Sequence, residues 1–537
     1  MKLFIVLLTG AFMLATGTSD VFAKKKEKVQ TEAKSDTVRT ASKKRNTQYP
    51  RLFKNKRVVT KKGLITIHKI DDKLYFEFPK SLLGREFLMG SSISATSDNT
   101  SGLVGQTMTT PLHIRFAIQE DQVYMQNVTP VSRMDVYSNQ SDISKAVAKS
   151  NITPDMESFK IAAYNMDSTA VVFEVTKFFL ADNKRLPLFD QNSSSLEDEK
   201  YGQLELKAVL KKNLSSIRNF YVFDDNLEIN LDMSFYQSLL ASKKEVRGGN
   251  VRVKAVYSML LLPEETMVWR LGDPRLGYTF TKKQKISTEK DGTAFSYLQH
   301  KWNLLPADEE AYRRGDLVAP RKPVVFYIDS DFPEAWKKAI KEGVNWWNEA
   351  FKMAGFKDAV QTADFPANDT TFYAGNLKYS CIRYVPVNLS KTQSKVWVDP
   401  RSGEIINGTI FVGHDIAKTI ASQRFVQTAQ VDERMRGIQL SEEVLLEGIR
   451  LYVAREVGHC LGLADNASAS AAFSVESLRS PEFTRQNGIA SSVMDELPYN
   501  YIAQPQDGKA DFIQNKLGAY DLFAIQMRRH QKKSVKR

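Results

Sequence analysis

Cysteine is nearly absent: the 537-residue chain has two, Cys381 and Cys460. That excludes a disulfide framework, which needs a dense, even set in a short domain. The two read as small buried thiols. Beyond the N-terminus no apolar run reaches the ~20 residues a membrane-spanning helix needs, and there is no internal repeat. Charge of one sign is scarce in the body, although the chain carries +13 overall. Residues 24–45 hold nine Lys or Arg against three acids and the last ten hold six against none, which leaves residues 46–527 near +1. Basic ends on a near-neutral body are solvated tails, so nucleic acid is not an expected partner. Anionic surfaces such as lipid or polysaccharide remain within their reach.

The length calls for several domains, and 42% hydrophobic residues is ordinary for globular ones. At the start, Lys2, the apolar run Leu3 to Leu14 and the small-residue exit Val21-Phe22-Ala23 read as a cleavable secretory signal over 1–23. The expectation is an exported protein, periplasmic, envelope-associated or secreted. A basic tail follows over 24–47, then a small β-rich domain over 48–95. In it two alternating runs flank Asp71-Asp72 as a hairpin, with Leu74, Phe76 and Phe78 on the buried face. Residues 96–305 form a β-rich middle domain with short alternating strands, including Val171 to Leu180, and a turn at Gly248-Gly249-Asn250. His68, His113 and His300 stand alone and read as structural, because a functional histidine needs convergent partners.

From 306 to 527 the pattern becomes α+β. An apolar strand, Pro323 to Ile328, precedes a helix that Pro333 opens and Gly355 stops. Further strands at 380–385, 395–398 and 405–412 enclose a hairpin turn at 399–403, which places His414 where the returning strand exits. The helix that follows, LSEEVLLEGIRLYVAREVGHCLGLADN over 440–466, has Ser441 as its N-cap and Glu442 and Glu443 in its first turn. Aligned to HExxHxxGxxH it supplies Glu456, His459 and Gly462 in register, with Arg455 in place of the first histidine and Asp465 in place of the third. Side chains four apart share a helix face, which is how two imidazoles hold one Zn²⁺ while the adjacent glutamate serves as general base. Guanidinium offers a metal no lone pair and repels a dication. A carboxylate is an acceptable zinc ligand. The candidate metal ligands are thus His459 and Asp465, with His414 a possible third whose geometry the sequence does not give.

These segments belong to a collinear series: SLLGREFLMGSSIS, LGDPRLGYTF, KPVVFYIDSDFPEAWKKAIKEGVNWWNEAF, DPRSGEIINGTIFVGHDI, FVQTAQVDERMR, REVGHCLGLADN, SLRSPEFTR and SSVMDELPYNYIAQP. From Tyr49 to about Met527 the chain resembles a family of exported bacterial zinc-dependent metalloproteases. The resemblance implies a multidomain α+β protein: two β-rich domains, then a metzincin-like (zincin) domain with a mixed sheet and an active-site helix, and finally a basic tail over 528–537. It also implies zinc as cofactor, Glu456 as general base, His459 as a zinc ligand, Gly462 as the turn after the helix and Met494 of SVMD as the Met-turn below the metal. Arg455 and Asp465 depart from the family's histidines. The resulting expectation is a non-catalytic descendant that binds a peptide or protein, with Arg455 and Asp465 forming an ion pair across the site. The alternative is a zinc metallopeptidase with an altered ligand set. Oligomeric state is open.

Overall fold

The computed structural model describes residues 48–527 apart from 99–101, 106, 130–133, 137–140, 190–195, 199, 287–292, 370–371, 388–391, 438 and 509. The expected secretory signal over 1–23 and the basic tails over 24–47 and 528–537 lie outside the described residues. No helix among the described residues is long and apolar enough to cross a membrane.

The N-terminal hairpin forms as its alternation dictates. Strands Thr66–Ile70 and Lys73–Pro79 pair around Asp71, which takes a left-handed φ of 54°, and Leu74, Phe76 and Phe78 are buried. Lys73–Pro79 then pairs with Ala170–Glu174, and from there one thirteen-stranded sheet runs through most of the β-rich region, while Met134–Val136, Phe280–Ile286 and Ala294–Gln299 form a separate three-stranded sheet. The sequence boundary at 95/96 falls inside strand Glu86–Thr96, which pairs with Leu112–Gln119 on one side and Lys244–Leu261 on the other. The two β-rich regions therefore share a sheet and also a core, where Phe78 touches Phe87, Phe116 and Phe173. Two local readings are corrected. The strand expected over Val171 to Leu180 stops at Glu174 and a short helix covers Thr176–Phe179, with the Thr176 hydroxyl accepting from Leu74 N–H. Residues 248–250 are not a turn: Gly248, Gly249 and Asn250 lie within strand Lys244–Leu261, opposite Ser238, Gln237 and Tyr236. The reversal sits at Ser242-Lys243, both at positive φ. The glycine at 248 makes room for Glu245, whose carboxylate accepts from Tyr236 and Ser238 across the pair.

The isolated histidines sit in local hydrogen bonds. His68 pairs with Glu77 at 2.9 Å, His113 with Glu86 at 2.8 Å, and His300 bonds the Thr279 and Thr281 hydroxyls.

In the C-terminal domain, strand β1 (Val324–Ile328) leads into helices α1 (Glu334–Asn345) and α2 (Trp347–Met353). The single helix expected from the sequence is thus two segments that meet at Trp346. Gly355, at φ 87°, follows the stop. Strands β2 (Val360–Asp364), β3 (Ser380–Val385), β4 (Thr392–Asp399) and β5 (Glu404–Gly413) complete a sheet in the order β2-β1-β3-β5-β4. Only β4, the hairpin partner of β5, runs antiparallel. Helices α3 (Ile416–Thr428), α4 (Glu442–Cys460) and α5 (Ala519–Gln526) follow. Along β4 and β5 the side chains alternate: Val396, Ile410 and Val412 join the core that contains α4, whereas Lys395, Trp397 and Phe411 point away from it.

That outward face docks on the β-rich body. Trp397, 1% exposed, is packed among Leu88, Leu260, Leu262 and Leu377, and Asn226 donates to Asn376 at 2.8 Å across the same seam. Elsewhere a buried ion network ties α3 to α4: the fully buried Arg424 bonds Glu447 at 2.6 Å and Asp432 at 2.9 Å, and Arg434 bonds the same two acids. Burial alone would push the Asp432 carboxyl up, but hydrogen bonds from Arg434 and Arg424 outweigh it and hold it below its ordinary value.

Two outcomes are expected. Trp397→Ala costs about 3–5 kcal/mol, the usual penalty for emptying a buried aromatic site, in a denaturant titration; an unchanged midpoint would contradict this docking. Because the folded-state value of Asp432 is depressed, its stabilisation is present above ~4, the unfolded value, and is lost as pH falls through the lower folded value. Asp432→Asn is therefore less stable than the parent at pH 7, and that deficit shrinks as the pH approaches 3. A deficit that grows with acid would refute the assignment.

Candidate metzincin-type site

Helix α4 starts where its cap predicts, with Val444 N–H donating to Ser441 Oγ at 3.4 Å. It is buried along most of its length because three elements close on it. Trp347 donates from Nε1 to Ala454 O at 2.8 Å. Cys460 lies against Gly408 of β5, and burial pushes its thiol up, so it is a packing group with no nucleophilic character. Met494, fully buried, lies under Gly458 so closely that a Cβ there would sit 2.3 Å from its sulfur.

Gly462 ends the helix at φ 89°, a left-handed conformation, and a Cβ there would sit 2.5 Å from the His300 carbonyl. The close approach comes from the last stretch of the β-rich body. Thr279 N–H donates to Gly462 O at 3.0 Å, and Ala464 N–H donates to Gly277 O at 2.9 Å. The body thereby fixes the backbone that carries Asp465.

Three predicted residues converge. Arg455 Nη2 donates to Asp465 Oδ1 at 2.6 Å, so the ion pair expected across the site forms. The same oxygen lies 3.3 Å from His459 Nε2. His459 Nδ1 is 3.0 Å from Leu463 O; a carbonyl only accepts, so Nδ1 carries a proton and Nε2 is the pole that faces Asp465. An imidazole held from behind by a carbonyl is oriented as a metal ligand would be. Glu456, largely buried, is engaged by the edge strand: Thr392 Oγ1 donates to its Oε1 at 2.9 Å. A cavity of about 270 Å³ opens beside Arg455 and Glu456, with Gln423, Tyr452 and Glu496 in its wall.

His414 is not brought to the others. It leaves β5 on the α1 side, where its Nδ1 lies 2.6 Å from Tyr384 Oη and its ring is parallel to Trp336 at 6.2 Å. Among the described residues no three His, Cys, Asp or Glu side chains converge as a group able to hold a metal ion. His459 and an Asp465 already bound to a guanidinium do not fit a three-ligand zinc centre.

Sequence reasoning passed over two supports of this site. Thr392 gives no local signal, since its partner is 64 residues away. Asp521, buried in α5, holds the turn at Met494 by accepting from Ser492 Oγ at 2.6 Å, Val493 N–H at 2.9 Å and Gly518 N–H at 2.8 Å. Burial pushes its carboxyl up to about 6, and these bonds offset only part of that. A folded-state value above the unfolded ~4 means the native state holds the proton more tightly, so this group's contribution to stability falls as pH rises from ~4 to ~6. The stability advantage of the parent over Asp521→Asn is therefore larger at pH 4.5 than at pH 7, measured by thermal unfolding; the reverse order would refute the buried-acid assignment.

Comparison with family models matches residues 437–527 to Met-zincin, residues 105–307 to a domain of unknown function (DUF5117) and residues 47–96 to another (DUF5118). No curated protein and no solved structure matches the chain. The Met-zincin match spans α4, the turn at Gly462 and Met494, and it follows the two N-terminal matches in the order read from the sequence. The chain thus carries a metzincin-like domain that follows two N-terminal domains.

Proposed function

We propose that this chain is a non-catalytic member of its family, an exported envelope or secreted protein that binds a peptide or protein segment without hydrolysing it. One observation carries the reading: Arg455 stands where a zinc ligand is required and is paired at 2.6 Å with Asp465, the remaining candidate carboxylate ligand. Both side chains are partly exposed, and such pairs contribute only about 0–1 kcal/mol to stability. The weight of the pair therefore lies in what it does to the site. It places a fixed cation beside His459 and removes an anionic donor. Glu456, bonded to Thr392, keeps the general base's position with no activated water to receive.

The binding role rests on β4. Its ladder is made with β5 alone among the described residues, so its other edge offers free backbone groups beside the 270 Å³ cavity. An extended peptide is the ligand that such an edge accepts, by adding a strand.

The purified chain is expected to hold well under one zinc per molecule and to leave casein uncut. Arg455→His combined with Asp465→His restores the ligand set and is expected to take up about one zinc that a chelator removes. Stoichiometric zinc in the parent chain, with casein hydrolysis abolished by Glu456→Gln, would instead establish a peptidase with an altered ligand set.

A further inference from the structure

We infer that the cleft between the β-rich body and the sheet face turned away from α4 is a binding site for an acidic oligosaccharide. The cavity there is about 1030 Å³ and is walled by strands Asn226–Ala241 and Lys244–Leu261 on one side and by β3, β4 and β5 on the other. Five cationic and two acidic side chains line it. Arg218 and Arg252 are both committed to Asp232. Lys254, Arg383 and Lys395 form no ion pair among the described residues. Arg383 lies over the Phe411 ring at 5.9 Å, and the Lys395 ammonium is 5.2 Å from the centre of the Trp397 ring. Burial pushes Lys395 down to about 8, a cost that a bound anion would relieve.

Opposite these cations is a set of hydroxyl partners. Glu228, 3% exposed, accepts from Tyr373 Oη at 2.5 Å, and each of Glu228 and Lys395 feels the other's charge without touching it. Asn230 Oδ1 is buried and has no hydrogen-bond partner. A buried acceptor left unsatisfied destabilises the site, an effect that a ligand hydroxyl would relieve. The half-buried Phe365 and Phe372, ring centres 4.9 Å apart, add flat apolar faces suited to the C–H face of a sugar ring.

The walls discriminate between a saccharide and a peptide. Strand Asn226–Ala241 is hydrogen-bonded on both edges, as is the Val253–Leu261 part of its neighbour, so on that side the cleft presents mainly side chains. A peptide backbone finds no strand partner on that wall, whereas a polyhydroxylated acid can meet Lys254, Arg383 and Lys395 with its carboxylates and Asn230 Oδ1 with a hydroxyl. This site lies on the face of β4 and β5 opposite Glu456, so it stands whichever way the reading of Arg455 is decided.

Calorimetric titration of the full chain with tri-galacturonate, maltotriose and tri-glutamate tests the inference. Tri-galacturonate is expected to bind at least about tenfold more tightly than either of the others, and Lys395→Met to weaken it by about tenfold or more. Arg383→Gln carries the same expectation should Lys395→Met fail to fold. No heat with tri-galacturonate, equal or tighter binding of tri-glutamate, or unchanged affinity in a folded variant would each overturn it.

Discussion

Helix α4 packs on β5 through Cys460, on α2 through Trp347, on α3 at Ile420 and on the loop that carries Met494, so each layer of the C-terminal domain takes its position from one 19-residue helix. Almost all of these contacts are apolar or backbone hydrogen bonds. Burial of this kind drives folding regardless of what the helix's short outer strip carries. A domain organised in this way keeps its architecture when a metal ligand is exchanged, and its partly exposed corner at Arg455 and His459 is free to change chemistry.

On the proposed reading the exchange at that corner is double. An arginine alone would place a bare cation beside His459; an aspartate alone would leave a workable oxygen ligand. Together they neutralise each other across 2.6 Å, and the aspartate oxygen also faces His459 Nε2. The supporting parts are intact around them: the carbonyl behind His459, the left-handed glycine at 462, the buried methionine at 494 and the buried acid at 521 that holds its turn. On that reading the site is a complete frame around a changed donor set.

Much of this was legible in the sequence where signals are local. The alternation of Leu74, Phe76 and Phe78, the cap at Ser441, the glycine stops at 355 and 462 and the i, i+4 relation of Arg455 and His459 each follow from one stretch of chain. What was illegible depends on long-range pairing. The antiparallel pairing of Glu86–Thr96 with Lys244–Leu261 puts the two β-rich regions in one sheet, and nothing near residue 96 announces it. The Gly248-Gly249 pair looks like a turn because glycine permits one, yet here the missing side chain of Gly248 serves the cross-strand bonds of Glu245. The bonds from Thr392 to Glu456 and from the 492–493 backbone to Asp521 join residues remote in sequence. His414 illustrates the converse: its place at the strand exit was correct, but only the packing of Trp336 and Tyr384 fixed which way it faces.

The central claim, that an arginine–aspartate pair stands in the metal position, is most directly tested by anomalous diffraction at the zinc absorption edge from crystals grown in excess zinc. The account predicts no anomalous peak at His459 Nε2 and continuous density joining the Arg455 guanidinium to Asp465. A full-occupancy peak about 2 Å from His459 Nε2 and from an Asp465 oxygen, the ordinary zinc–ligand distance, with Arg455 displaced, would contradict it.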